Sequence, residues 1–317
     1  MQTTPFIGVD VSKQSLSIAI HNQSSAPQTI ANNKSAIKNF LSTLPPQSLI
    51  AVEATNIFHR LLIELAFQSH FTVYVLNPHD VHYYCRAVGQ RAKTDRVDAQ
   101  LIARYLAKEH QELHPWVPPS SVQEAIFTLI ARRATVTKSK QALQQSLRDV
   151  PLTKNILYAL NQQLTKTLIA IDKAIVAQLK QDVQLVDTAN KLRDIPGIGP
   201  LISAALATLL QRYPFANADA VTCYVGLDPR AKDSGQKRGQ RKLTKRGPSE
   251  MRRLLYIAAM TAARHPQIKP IYERQLAKGL SCIAAYNVLA RKLLRAAWSL
   301  IKHDQAFDLN RFANQLT

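Results

Sequence analysis

Short apolar runs and helical patterns follow one another along the first 110 residues in a fixed order: three strands, a helix, a strand, a helix, a strand and two helices. The predicted strands are 6–10, 16–20, 28–31, 48–53 and 72–76, and the predicted helices are 33–44, 57–69, one that opens at Pro78, and 94–108. Strands that follow one another directly form an antiparallel meander, whereas strands separated by helices are joined by crossovers and run parallel. The order therefore predicts an α/β domain built on a mixed sheet.

Four carboxylates stand where this order would bring them together. The order is ribonuclease-H-like, and in that fold the first and fourth strands, which here end at Asp10 and Glu53, lie side by side. Asp95 and Asp98 are three residues apart and share one face of a helix. Converging oxygen ligands repel each other unless cations intervene, so we expect Mg²⁺ or Mn²⁺ here, and two such ions could clamp a phosphodiester. The alternative is that Asp10 caps its strand and that the helical pair only suits the helix dipole.

Cysteine and histidine offer little for a zinc site or a disulfide framework. Cys85, Cys223 and Cys282 lie far apart and are odd in number, so we expect buried, reduced thiols. His79 and His82 lie three residues apart, close to Asp80 and Cys85, but no second ligand pair accompanies them. We interpret this group as helix surface or satisfied core.

The charge of the chain points to a polyanionic partner. Lys and Arg number 41 against 21 Asp and Glu, a formal net charge of +20. Nucleic acid fits better than a membrane surface, because the basic residues are spread over both halves and form no lone amphipathic helix. The sequence has no apolar run long enough to span a bilayer and no signal peptide at its N-terminus, so we expect a soluble, cytoplasmic protein.

A proline-rich segment at 113–119 predicts a domain boundary. Two long helical patterns follow, at 121–149 and from about 153 to 186, with a break at Pro151. They predict an antiparallel, coiled-coil-like arm of the kind that makes dimers, with an ordinary helical core as the alternative. The length of 317 residues fits at least two domains. We expect an N-terminal domain over 1–112, the arm over 113–190 and a C-terminal domain over 191–317.

The C-terminal domain is predicted to be all-helical. Residues 192–207 have the pattern of a helix-hairpin-helix, whose turn contains Gly197 and Gly199 and exposes backbone N–H groups to a phosphate. The alternative is a tight turn without a ligand. Further helices are predicted at 218–225, 249–265, 271–278 and 281–302, the last with Arg291, Lys292 and Arg295 on its outer face.

A basic, glycine-punctuated stretch runs from Gly226 to Arg253 and carries Ser234 beside Gly235. Cations and glycine are what a chain needs to hold a hydroxyl close to a phosphodiester. Lys232 and Arg253 also belong to this stretch. The predicted nucleic-acid contacts within it are Arg230, Lys237, Arg238, Arg241, Lys242, Lys245, Arg246 and Arg252. Taken alone, the stretch is better explained as a solvated basic loop that happens to contain Ser-Gly, and only the rest of the chain favours the catalytic interpretation.

Five ordered motifs, at 8–13, 52–55, 93–99, 195–200 and 226–255, together resemble the DEDD transposases of the insertion-sequence 110 family. That family includes the Piv-type DNA invertases and the bridge-RNA-guided recombinases. The resemblance implies a RuvC-like N-terminal domain, a coiled-coil linker and a C-terminal transposase domain. It implies that Asp10, Glu53, Asp95 and Asp98 bind the metal and that Ser234 is the nucleophile.

The resemblance also implies how such a chain acts. A serine would attack the scissile phosphate and become joined to one DNA end, with help from metal ions held by the acids. Because the serine and the acids lie in different predicted domains, we expect a composite site completed within or between subunits when nucleic acid binds. A tetramer built as two dimers, a structured noncoding guide RNA and a bacterial, nucleoid-associated setting are further implications. The alternatives are a metal-dependent Holliday-junction resolvase or nuclease that uses water, and a nucleic-acid-binding protein without catalysis.

Overall fold

The computed structural model describes residues 4–23, 26–54, 57–89, 95–150, 154–230, 239 and 241–314, without the side chains of Asp95 and Arg96. The chain divides into two compact units, Met1–Pro118 and Pro119–Thr317, and the division lies inside the proline-rich segment. Within the described ranges, no helix combines the length and the apolar character that crossing a bilayer requires.

The first unit is built on a five-stranded sheet, as the sequence predicts. Its strands are β1 Phe6–Val11, β2 Ser15–Ile20, β3 Gln28–Ala31, β4 Leu49–Glu53 and β5 Thr72–Leu76. Their order across the sheet is β3-β2-β1-β4-β5. The pairs β1·β2 and β2·β3 are antiparallel, whereas β4 pairs in parallel with both β1 and β5. The expected meander and its two parallel additions are therefore confirmed, and β1 and β4 lie side by side.

Four helices cover the two faces of this sheet. They are α1 Lys34–Ser42, α2 Arg60–Gln68, α3 Pro78–Ala87 and α4 Asp95–Glu109. Pro78 opens α3 at the first helical position, where its missing N–H costs nothing, and the Asn77 side chain caps the helix. One apolar cluster joins α1 and α2 to β1 side chains such as Ile7 and Val9, and a second joins α3 and α4 to side chains such as Ala51 and Tyr74. Alternation along each strand thus assigns its odd and even residues to different helical layers.

The second unit begins with a helical hairpin. Helices α5 Ser121–Ser146 and α6 Lys154–Leu179 run antiparallel, because Arg133 binds the Asp172 carboxylate at 2.5 and 3.1 Å while Lys140 donates to Thr165 Oγ1 at 2.6 Å. Their proximal ends, including Ile126 and Ile175, join the main core of the unit. The sequence predicts the hairpin correctly, but it extends the second helix too far. Asp182 caps a separate helix by accepting a hydrogen bond from Leu185 N–H, which ends the arm at Leu179.

The rest of the second unit is mostly helical. Its helices are α7 Val183–Arg193, α8 Pro200–Arg212, α9 Ala218–Val225, α10 Ser249–Ala262, α11 Lys269–Ala277, α12 Cys282–Lys302 and α13 Leu309–Asn314. Two short strands, β6 Pro229–Arg230 and β7 Lys242–Leu243, interrupt the helices between α9 and α10. Neither these strands nor α13 is predicted from the sequence, because two-residue strands and a six-residue helix carry too little periodicity.

Two expectations about exposure are wrong. Cys223 and Cys282 are exposed free thiols, and Cys85 is half-buried, so the cysteines are not core residues. Cys282 is the first residue of α12, next to the Ser281 cap, where side chains face solvent. Lys292 does not extend from the outer face of α12, because its Nζ is buried.

Candidate functional site

The ends of β1 and β4 bring two predicted acids to one face of the sheet. In the parallel pairing, Gly8 is opposite Ala51 and Val9 is opposite Val52, so the next positions are Asp10 and Glu53. Alternate strand residues share a face. Asp10 therefore lies on the face of Gly8, and Glu53 lies on the face of Ala51, which packs in the cluster with α4. Both acids are half-buried.

Helix α4, which carries the other two acids, lies directly against β1. A Cβ at Gly8 would lie 2.2 Å from the backbone N of Ala103 and 2.3 Å from the carbonyl oxygen of Ala99. Only glycine permits this approach of helix backbone to strand backbone. Asp98 immediately precedes Ala99, so the close contact at Gly8 fixes the end of α4 that carries it.

The acids have the chemistry of a divalent-cation site, but the structure does not assemble one from the described side chains. Within the described residues, no group of three or more His, Cys, Asp or Glu side chains is placed to hold a metal ion. This covers Asp10, Glu53 and Asp98, and it also covers the group around His79, His82 and Cys85. The side chain of Asp95 lies outside the described residues. The metal site therefore stays a prediction.

Ser234 lies outside the described residues, together with Lys232, Lys237 and Arg238. The structure describes the residues that precede and follow the segment 231–238 in the chain. There β6 pairs with β7 in antiparallel register, Pro229 opposite Leu243 and Arg230 opposite Lys242. Thr244 N–H donates to the Asp228 carbonyl at 3.1 Å and Lys245 N–H to the Gly226 carbonyl at 3.1 Å, while the Thr244 hydroxyl donates to the Asp228 carboxylate. In the chain, Ser234 therefore stands between two paired strands, and we call residues 226–247 the serine hairpin.

Two glycines allow the ends of the serine hairpin to pass each other closely. Gly226 ends α9 with φ of 74°, and a Cβ there would lie 2.7 Å from the backbone N of Arg246. A Cβ at Gly247 would lie 1.7 Å from the carbonyl oxygen of Tyr224. A side chain at either position would force the two ends apart.

Arg252 of α10 braces the same two ends. Its Nη1 donates to the carbonyl oxygens of Val225 at 2.9 Å and of Gly247 at 2.6 Å. Burial lowers the pKa of the Arg252 guanidinium below its usual value. The neighbouring Arg253 instead holds the Glu250 carboxylate at 2.8 and 2.5 Å. The predicted nucleic-acid contact of Arg252 stays a prediction. The guanidinium groups of Arg252 and Arg253 both already have protein partners.

The remaining described cations of the serine hairpin are exposed. They are Arg230, Arg241, Lys242, Lys245 and Arg246. Each is presented by β6, by β7 or by the residues next to β7. Exposed cations on or beside a short paired ribbon are suited to phosphate contacts, which fix the position of a nucleic acid without reading its sequence.

The two glycines in the turn between α7 and α8 have different roles. Gly197 has φ of 90°, and a Cβ there would lie 2.3 Å from the carbonyl oxygen of Ala258 in α10, so this glycine is needed for packing. Gly199 caps α8 without a side-chain hydrogen bond, and a Cβ there would meet nothing within 4 Å. Gly199 therefore begins a helix whose N-terminal end is open on that side, as an anion-binding turn requires. Contact with nucleic acid stays a prediction for both.

Sequence reasoning misses Gly8, Gly247 and the bracing role of Arg252. A glycine inside a run of β-branched residues signals close backbone approach, so Gly8 had a detectable signal. No local pattern distinguishes Arg252 from Arg253, since their difference depends on which carbonyls α9 brings near. The buried position of Lys292 is also missed, because its place on α12 predicts an outward side chain.

Comparison with known proteins identifies the class of the chain. Residues 7–153 match a DEDD transposase model of IS110, described as a transposase, and residues 189–273 match the model described as transposase IS116/IS110/IS902 family. The pilin gene-inverting protein of Moraxella bovis is 25% identical over 96% of this chain and 97% of its own length. The corresponding protein of Moraxella lacunata is 27% identical over 82% of this chain and 81% of its own length. The transposase for insertion sequence element IS1328 of Yersinia enterocolitica is 24% identical over 97% of this chain and 100% of its own length.

The two family models follow each other along the chain in the order of its two units, and the relatives span nearly the whole of it. The chain belongs to the IS110 family of insertion-sequence transposases, and it is a DNA recombinase.

Proposed function

We propose that this transposase cuts and rejoins DNA through a covalent serine–DNA linkage, with Ser234 as the nucleophile. The Ser234 oxygen forms a bond to the scissile phosphorus, one phosphorus–oxygen bond of the DNA breaks, and the released strand end leaves as a sugar hydroxyl that carries the proton. Rejoining runs the same exchange in reverse with a hydroxyl from another strand. The number of phosphoester bonds is unchanged at each step, so no external energy source is needed.

The observation that carries this proposal is the construction of the serine hairpin. Its ends are fixed by Gly226, Gly247 and Arg252, and its described cations are exposed for phosphate contact. A nucleophile gains rate from being held in a defined position against its target, and a braced hairpin provides such a base. No histidine stands within the hairpin sequence to act as a base, which leaves activation of the hydroxyl to another group.

The four acids of the first unit are proposed to supply that activation by binding Mg²⁺ or Mn²⁺. Bound divalent ions lower the pKa of a hydroxyl and stabilise charge on phosphorus. The donor set is all oxygen, and Asp10 and Glu53 lie on the face covered by the helix of Asp95 and Asp98. We expect the four carboxylates to share the ions, because Asp10 and Glu53 lie at the ends of neighbouring strands on one face of the sheet. The ribonuclease-H-like, RuvC-type assignment of this unit belongs to the same proposal.

A structured noncoding guide RNA is proposed as the second nucleic acid. The family resemblance implies such an RNA, and the formal charge of +20 is compatible with a polyanionic partner. Exposed cations hold backbone and shape rather than sequence. Base pairing between guide and DNA would then select the site, as in other RNA-guided systems. Sequencing the nucleic acid that co-purifies with the protein tests this, since one discrete RNA is expected and only random fragments would contradict it.

The arm is proposed to join protomers into dimers, and dimers into tetramers. Helix α6 exposes apolar side chains along its length, among them Ile156 at 71%, Tyr158 at 67% and Ile169 at 50%. Exposed apolar residues at this density on one hairpin are better explained by a protein partner than by solvent.

Ser234→Ala tests the central step, with Ser249→Ala as its matched control. The substrate is DNA from the ends of an insertion sequence with a nick close to the cleavage site, so that a covalent product is trapped. The unaltered protein and Ser249→Ala are expected to give a protein–DNA adduct that survives denaturation, and Ser234→Ala none. Cleavage with free DNA ends by Ser234→Ala would instead show that water is the nucleophile, as in a metal-dependent resolvase or nuclease. Chelation of divalent ions is expected to stop the reaction.

A further inference from the structure

A cavity of about 790 Å³ opens in the second unit beside the base of the serine hairpin. Its walls come from α9, α12 and α13, from Asp228, which precedes β6, and from Pro229, the first residue of β6. Its size lies in the range of small-molecule sites. None of the residues proposed for catalysis lines it.

The acids of this cavity already have partners within the protein. Asp219 is paired with Arg295, and Asp228 accepts a hydrogen bond from the Thr244 hydroxyl. The Asp308 carboxylate accepts a hydrogen bond from the backbone N–H of Arg311 at 3.0 Å, at the start of α13. These three carboxylates therefore already take part in contacts that stabilise the fold.

Three cations that line the cavity are not matched in this way. The Nζ of Lys292 is buried, has no hydrogen-bond partner and lies 4.6 Å from the centre of the Phe312 ring. In the described part of the chain, Arg291 and Arg311 also line the cavity without a carboxylate partner. Burying an ammonium without an acceptor is costly, and a methionine would fill the same space without that cost. An anionic ligand would complete the coordination of this group.

Aromatic side chains form the apolar part of the wall. Trp298 and Phe307 are half-buried and border the cavity, and the Trp298 indole N–H donates to the carbonyl of Phe215 at 3.3 Å, which fixes the ring. Aromatic faces stack on nucleobases of any sequence, and neighbouring cations hold the phosphate. A bare phosphate ion would leave the aromatic wall unused.

We propose that this cavity binds one unpaired nucleotide of the nucleic acid that the recombinase handles, with its base against Trp298 and Phe307 and its phosphate against Lys292 and Arg311. Because Asp228 and Pro229 belong to the serine hairpin, the nucleotide would be held next to the hairpin that carries Ser234. The site would thus keep one nucleotide out of the duplex close to the segment that is proposed to cut.

Cys223 gives a direct readout, because its exposed thiol lines the same cavity. In full-length protein with Cys85→Ser and Cys282→Ser, we would measure the rate of Cys223 alkylation by N-ethylmaleimide at constant pH. The probes are a short single-stranded oligothymidylate, its RNA counterpart, free thymidine monophosphate, inorganic phosphate and a blunt duplex. We expect the single strands to slow alkylation of Cys223. Free thymidine monophosphate should slow it only at much higher concentration. Inorganic phosphate and the blunt duplex should leave the rate unchanged.

Lys292→Met is the test variant and Lys302→Met, at an exposed position of the same helix, is the control. Losing a charge-assisted contact to phosphate is expected to weaken protection by about 10-fold or more for Lys292→Met and to leave it unchanged for Lys302→Met. Thermal unfolding of both variants would show that they are folded. Protection that persists in Lys292→Met, or that phosphate or duplex gives as well as a single strand, would overturn the proposal. In the Ser234→Ala variant, a single strand should still protect Cys223 from alkylation. The nucleotide site and the serine chemistry are therefore tested separately.

Discussion

Gly8 of β1 and Ala103 of α4 are so close that a Cβ on Gly8 would lie 2.2 Å from the backbone N of Ala103. No rotamer relieves this clash, because both partners are backbone. We expect Gly8→Ala to push α4 away from the sheet and to lower the free energy of unfolding by about 1–3 kcal/mol, the usual cost of overpacking. It should also weaken divalent-ion binding, since α4 carries Asp98.

Gly199→Ala is the matched control for this prediction, because its Cβ would meet nothing within 4 Å and its φ is −84°. We expect its unfolding free energy to fall by no more than about 1 kcal/mol, the cost of alanine at a helix N-cap. Denaturant unfolding and calorimetric titration with Mn²⁺ would measure both effects. Equal stability and equal ion affinity of the two variants would show that the contact at Gly8 does not position α4.

The brace formed by Arg252 should matter more than its neighbour Arg253. Arg252→Ala removes donors to the carbonyls of Val225 and Gly247, and we expect a loss of about 1.5–3 kcal/mol in unfolding free energy, as for hydrogen bonds from charged groups. Arg253→Ala removes only an i,i+3 pair with Glu250, so its cost should be below about 1 kcal/mol. Hydrogen exchange at Lys245 N–H, which bonds to Gly226, should become faster in Arg252→Ala alone. Equal exchange in both variants would contradict the brace.

The architecture of the first unit could be predicted because its signals are local. Each strand is a short apolar run, Pro78 marks a helix start, and the order of elements leaves few arrangements of the sheet. The adjacency of Asp10 and Glu53 followed from that order. The distances among the four acids could not be predicted from that order, because they depend on how the side chains between α4 and the sheet pack.

The second unit shows what sequence periodicity misses. Helix α6 ends before Asp182 because the Asp182 side chain caps α7 instead of continuing the helix. The spacing of apolar residues does not reveal this competition. Lys292 looks like a surface residue by its charge, but α13 places Phe312 against it. Such contacts join segments that are distant in the chain, so only the packed structure shows them.

The exposed apolar residues of the arm should decide the oligomeric state. We expect Ile156→Glu combined with Ile169→Glu to convert dimers or tetramers to monomers, because charges at an apolar interface must be desolvated without partners. The thermal midpoint of the monomer fold should change little, since both side chains are at least half exposed. Sedimentation equilibrium would measure the mass. Ile283→Glu, at a 65% exposed position on α12, is the control and should leave the assembly intact.

Lys292 should make the free energy of unfolding depend on pH, and replacing it with methionine should remove that dependence. Burial lowers the pKa of the Lys292 ammonium to about 8, with a further contribution from the charge of Arg274, whereas the unfolded chain keeps an ordinary lysine pKa near 10.5. Between these values the unfolded state binds more protons than the folded state, so stability gains from rising pH in that window. Below pH about 8 the folded protein carries the full cost of the buried charge.

We therefore expect Lys292→Met to be more stable than the unaltered protein below pH about 8, with the difference shrinking as the pH rises towards 10.5. Methionine keeps a favourable contact with the Phe312 ring, so packing is retained. Denaturant unfolding at a series of pH values would measure the difference, and Lys302→Met, which keeps Lys292, should show no such trend. A constant difference across the window would mean that the ammonium is not buried as the structure has it. The same titration should weaken single-strand protection of Cys223 above pH about 8, because a neutral amine holds a phosphate less strongly than an ammonium does.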